Sequence, residues 1–150
     1  MAHGHAPSLN RLAFDATRHC LTGCAIGEVL GLAGATALGW HDVASVLLAI
    51  VLAFLFGYAL TLRPLLAGGL SLAASMRLAF AADTVSIAVM EIVDNAIVVV
   101  IPGAMSAGVA DPLFWGSLAV SLVVAGVAAF PVNRWLISRG RGHAVVHARH

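Results

Sequence analysis

The chain contains no lysine; its eight basic residues are all arginine. Only 10% of its 150 residues are charged, against about 25% in a typical soluble domain. That leaves too little polar surface to keep a globule in solution. Two cysteines, at positions 20 and 24, do not make a secreted disulfide framework, so reduced thiols are expected. No Walker loop, Rossmann glycine set, Ser-His-Asp order or nucleic-acid motif is present, and no nucleic-acid partner is expected. A cleavable signal peptide is not expected either. The first apolar stretch begins near residue 19, and no A-x-A site follows a short apolar region.

What the sequence does have is apolar residues, 61% of the total, gathered in long runs with short connections. This pattern predicts an all-α integral membrane four-helix bundle formed by a single transmembrane domain. The spans are read as about 19–39, 43–62, 78–101 and 113–137. Asp111-Pro112 is a good opening for the fourth helix, an N-cap followed by proline at the first helical position. A bend is expected at Pro131. Ser8–Arg18 reads as an interfacial helix leading into the first span. The stretch 65–76 is too short to cross and reads as an interfacial turn or an extension of the third helix.

The arginines orient these spans. Arg11 and Arg18 precede the first; Arg63 and Arg77 lie between the second and third; Arg134, Arg139, Arg141 and Arg149 close or follow the fourth. All eight fall on one side, so the positive-inside rule places both termini in the cytoplasm, N-in and C-in. Trp40 and Trp115 then flank the outer boundary and Trp135 the inner one. The expected location is a bacterial inner membrane.

Two helix faces carry the polar chemistry. In the first span, Cys20, Cys24 and Glu28 recur every four residues and share one face. His19 and the small-residue series Gly23, Gly27 and Gly31 form the adjacent stripe, suited to close helix packing. In the third span, Asp83, Ile87, Glu91 and Asn95 share a stripe, with Met90 and Asp94 beside it. Carboxyls at membrane depth are costly and tend to mark ion paths, proton relays or partner contacts.

Counting residues puts Glu28 and Glu91 at one depth near the midplane, and Asp83 level with Cys24. Two carboxylates at one depth need a proton, a bound cation or hydrogen bonds between them. The first and third helices are expected to run antiparallel on different faces of a short bundle, or to meet across an oligomer interface. Thiolate, imidazole and thioether suit a soft metal such as copper. Those ligands would be His19, Cys20, Cys24 and Met90, while Glu28, Asp83, Glu91, Asp94 and Asn95 would form a proton or cation site. Cys20, Cys24 and Asp83 would then line a cytoplasmic approach to it.

The tails add further imidazoles. His3 and His5 flank Gly4, and His143, His147 and His150 would align on a helical tail as further metal ligands.

Taken together, His19-Cys20-x3-Cys24-x3-Glu28, Met90-Glu91-Ile92-Val93-Asp94-Asn95 and Asp111-Pro112-Leu113-Phe114-Trp115 resemble a family of small bacterial four-helix membrane proteins of unknown function. So do Pro102-Gly103-Ala104-Met105, Pro131-Val132-Asn133-Arg134-Trp135 and Gly142-His143-Ala144. The resemblance implies the fold and no activity. The expected function is binding or transport of a soft metal ion, proton-coupled through midplane carboxyls. The partners expected are the lipid bilayer and further copies of the chain or a larger membrane complex. The alternative is an accessory subunit packing against a larger complex through its glycine stripe. An enzyme is the weakest reading, since no base stands beside a nucleophile at a recognisable spacing.

Overall fold

The computed structural model describes residues 7–140. Four long helices make up nearly all of it: α1 (Leu9–Ala37), α2 (Asp42–Ala67), α3 (Leu72–Val100) and α4 (Pro112–Ser138), with a single 3-10 turn at Ala104–Ser106. Local chemistry sets the ends. Ser8 and Ser71 accept hydrogen bonds from Arg11 N and Ala74 N, each at 3.3 Å, and Asp111 Oδ1 accepts from Leu113 N at 2.9 Å. These side chains satisfy amides that a helix start leaves bare. The α1–α2 and α2–α3 connections turn at Gly39 (φ +68°) and Gly69 (φ +87°), in the left-handed region that residues with a Cβ avoid.

Several boundaries differ from the sequence reading. α1 is one continuous helix from Leu9, not an interfacial helix followed by a span. α2 runs through Pro64 to Ala67, and α3 starts at Leu72, so 65–76 divides between two helices around a tight turn. α4, with Pro131 inside it, ends at Ser138, one residue past the expected span. Proline lowers helix propensity, yet interhelical packing in an apolar setting retains the helix.

α1, α2 from Val43 and α4 are long and apolar enough to cross a membrane. α3 equals α1 in length, 29 residues, but Asp83, Glu91 and Asp94 interrupt its apolar run. The outward surface is apolar: Leu47, Val51 and Leu55 on α2, and Val120, Val123 and Val127 on α4, are exposed. The buried set contains Asp83, Ser86, Glu91, Asp94, Ser121 and Asn133. An apolar exterior around a polar interior is the pattern of a membrane protein, whose solvent is lipid.

α1 and α2 form the tightest pair. A Cβ on Gly23 would meet Gly57 Cα at 2.8 Å, one on Gly27 would strike Ala53 backbone, and one on Gly31 would meet Ala49 Cα at 2.5 Å. Each four-residue step along α1 is matched by four residues back along α2, so the helices are antiparallel and mate small residue to small residue. One step beyond Gly23, Thr61 Oγ1 and His19 Nε2 lie 3.0 Å apart. The glycine stripe is therefore covered within the chain. A larger complex would have to use another face, which corrects the expectation of docking through Gly23, Gly27 and Gly31.

α4 closes the bundle against α1. Leu21 Cδ1 sits where a side chain on Gly126 would go. Asn133 Nδ2 donates to Thr17 Oγ1 at 2.9 Å, and Thr17 in turn donates to Ala13 O at 2.8 Å. At that same end Arg134 Nε donates to Asn10 Oδ1 at 2.8 Å, and the Arg139 guanidinium lies 5.3 Å from the Trp135 ring centre. With neighbouring helices antiparallel, Arg11, Arg18, Arg63, Arg77, Arg134 and Arg139 gather at one end of the bundle. Trp40 and His41 mark the other.

Candidate functional site

Because α2 lies between them in the chain and runs antiparallel to both, α1 and α3 run parallel inside one chain, and their polar faces meet. This corrects the antiparallel, separate-face expectation. The contacts form three rungs. The Cys20 thiol donates to Asp83 Oδ1 at 4.0 Å. Above it Cys24 faces Glu91, and above that Glu28 faces Asp94. The depth assignments shift by about one helical turn. Asp83 is level with Cys20, not Cys24, and the carboxyl opposite Glu28 is Asp94, not Glu91. Register between helices is set by packing, which residue counting from assumed span ends does not capture.

The column is dry. Cys20 and Cys24 are each 1% exposed, Asp83 0%, Glu91 4% and Asp94 3%. Asn95 Nδ2 donates to Glu91 O at 2.8 Å and to Glu91 Oε2 at 3.5 Å. Glu28 Oε1, Glu91 Oε1 and Asp94 Oδ1 are buried with no hydrogen-bond partner. Among the described residues the one ion pair, Arg18 with Asp15 at 3.8 Å, lies away from all three. Buried carboxyl oxygens without donors are costly in an apolar interior and are relieved by a proton or a cation.

The sulfur atoms gather beside this column. Cys20, Cys24 and Met90 belong to one buried cluster with Ala53, Ile87, Ala125 and Ala129. His19 Nε2 lies 3.0 Å from Thr61 Oγ1 on α2. Its position one residue before Cys20 turns it by about 100° around the helix, toward the glycine face. Among the described residues no group of three or more His, Cys, Asp or Glu side chains is arranged to hold a metal ion. His143, His147 and His150, like His3 and His5, lie outside the described residues.

One feature escaped sequence reasoning. A cavity of about 400 Å³ opens at the Trp40–His41 end, between the short α1–α2 turn and the longer α3–α4 connection. Glu28, Asp94 and Asn95 are among its lining residues, with Leu32, Val98 and Phe114 supplying apolar wall. The turn at 104–108 also contributes. Gly103, at φ +80°, turns the chain after α3 into this segment, and Pro102-Gly103 was its sequence trace. The polar column is thus reached from the end opposite the arginines, by way of Glu28 and Asp94. The expected approach past Cys20, Cys24 and Asp83 lies toward the other end, where these three side chains are buried.

Residues 10–142 match the model of a family described as a domain of unknown function, DUF4396, and the chain belongs to that family. No curated protein and no solved structure matches it.

Proposed function

We propose that this DUF4396 protein is a small membrane carrier or binding protein for a soft metal ion, copper being the first candidate, with protons exchanged at its buried carboxyls. The observation that supports this most is the α1–α3 column, in which two thiols face two carboxyls beside the Met90 thioether. Thiolate and thioether select soft cations. Entry of a cation into a dry site displaces thiol and carboxyl protons, which links metal binding to proton release. In this reading Cys20, Cys24 and Met90 supply the soft donors, and Asp83 and Glu91 balance the charge. His19, whose Nε2 also meets Thr61 Oγ1 on α2, remains a candidate soft donor beside them.

The same proposal puts the arginine end in the cytoplasm of a bacterial inner membrane, by the positive-inside rule. The cavity then opens outward. One copy offers only four helices around the path, and a homo-oligomer in the bilayer is part of the proposal.

Elemental analysis of protein purified under reducing conditions from copper-supplemented cells tests the reading, together with its mass in detergent. Copper at about one equivalent, lost in the Cys20→Ser/Cys24→Ser double variant and reduced in Glu91→Gln, is the expected result. Metal-free wild-type protein would overturn it.

A further inference from the structure

We propose that the cavity at the Trp40–His41 end is a binding site for an organic ammonium ion, a primary amine carrying an apolar body, held by Glu28 and Asp94. The site uses the outer carboxyl pair and none of the sulfur atoms, so it stands or falls separately from the metal reading.

Three observations carry it. First, a volume of about 400 Å³ is far more than a bare ion fills and falls within the range that holds small organic ligands. Second, the wall is apolar where Leu32, Val98 and Phe114 line it, with Trp40 also on the lining. Such a wall does not replace the water shell of a hydrated metal ion, whereas it suits a hydrocarbon body, and aromatic faces attract cations. Third, two carboxyls, Glu28 and Asp94, stand on the lining among the neutral polar side chains of Thr36, Ser45, Asn95 and Ser106. Asp94 is 3% exposed and lines the cavity, and its Oδ1 has no hydrogen-bond partner. Glu28 Oε1 is in the same condition. An ammonium group brings three N–H donors and one positive charge, which answers both oxygens at once. No arginine lines the cavity; His41 is the one basic residue on the lining, against the two carboxyls Glu28 and Asp94.

The chemistry fits either a free amine or the ethanolamine headgroup of a lipid. Equilibrium dialysis of the full chain in detergent at pH 7, with radiolabelled phenethylamine as probe, tests the site. Saturable binding is expected, weakened roughly tenfold or more in Asp94→Asn and in Glu28→Gln. It should be unchanged in Cys20→Ser/Cys24→Ser. The neutral analogue 2-phenylethanol should not bind. Val46→Trp, which fills the cavity from its wall and leaves the carboxyls in place, should abolish binding while circular dichroism and elution volume stay those of the wild type. Repeating the dialysis in phosphatidylglycerol nanodiscs with and without phosphatidylethanolamine identifies the source. Competition by the ethanolamine lipid assigns the ligand to a headgroup, and its absence assigns it to a soluble amine; both support the ammonium site. Equal binding of 2-phenylethanol, full binding by a folded Asp94→Asn, or saturable binding of manganese with none of phenethylamine would overturn the proposal.

Discussion

Gly27 of α1 lies against the backbone of Ala53 of α2 with no room for a side chain between them. The α1–α2 interface is built on this contact, and the polar face of α1 points at α3 because its glycine face is held by α2.

A methyl group at Gly27 must therefore push two helix backbones apart. Gly27→Ala is expected to destabilise the protein by about 1–3 kcal/mol, the usual cost of overpacking. Gly34→Ala is the control. The nearest atom to a Cβ there is Leu48 Cδ2 at 3.6 Å, an ordinary contact, and removal of a helical glycine stabilises by up to about 1 kcal/mol. Thermal unfolding in detergent should move in opposite directions for the two variants.

The thiols should be chemically silent in the folded protein. Cys20 and Cys24 are both free and buried, so N-ethylmaleimide should leave them unmodified in mild detergent and label both after denaturation, read by intact mass. Rapid labelling of either under native conditions would contradict the dry column.

Asn133 and Thr17 tie α4 to α1 through a buried hydrogen bond. Thr17→Val removes the acceptor and leaves the Asn133 amide without it. The expected loss is about 1–2 kcal/mol, the scale of an interhelical hydrogen bond in a membrane protein. Thr17→Ser keeps the hydroxyl and should retain most of the stability, measured by the same unfolding assay.

The gathering of arginines at one end predicts a topology. A fluorescent protein fused after His150 should fluoresce in a bacterial host, and alkaline phosphatase at the same point should be inactive. A phosphatase inserted between Gly108 and Val109 should be active. The reverse pattern would place the cavity on the cytoplasmic side.

The number of helices was legible because four apolar runs separated by Trp40-His41, Arg63-Pro64 and Pro102-Gly103 leave few other ways to satisfy a backbone in lipid. So was the common end of the arginines, which follows once neighbouring helices alternate. The stripe Cys20, Cys24, Glu28 was legible too, since it depends only on the 3.6-residue period. The limits of α2 and α3 were not. Pro64 looked like a stop, yet α2 continues past it, because neighbouring packing outweighs one residue's propensity.

What the sequence by itself determined is periodic and local: which residues share a face of which helix, and which ends carry charge. What only the tertiary structure decided is how those faces are turned and how far each helix slides. A slip of four residues keeps every stripe intact, so no pattern within one helix reports it. The slip is set by Gly23, Gly27 and Gly31 seating on Gly57, Ala53 and Ala49, contacts between residues distant in the chain. Given that seating, His19 reaches Thr61, while the α1–α3 register puts Cys20 opposite Asp83 and Glu28 opposite Asp94 at the floor of a cavity.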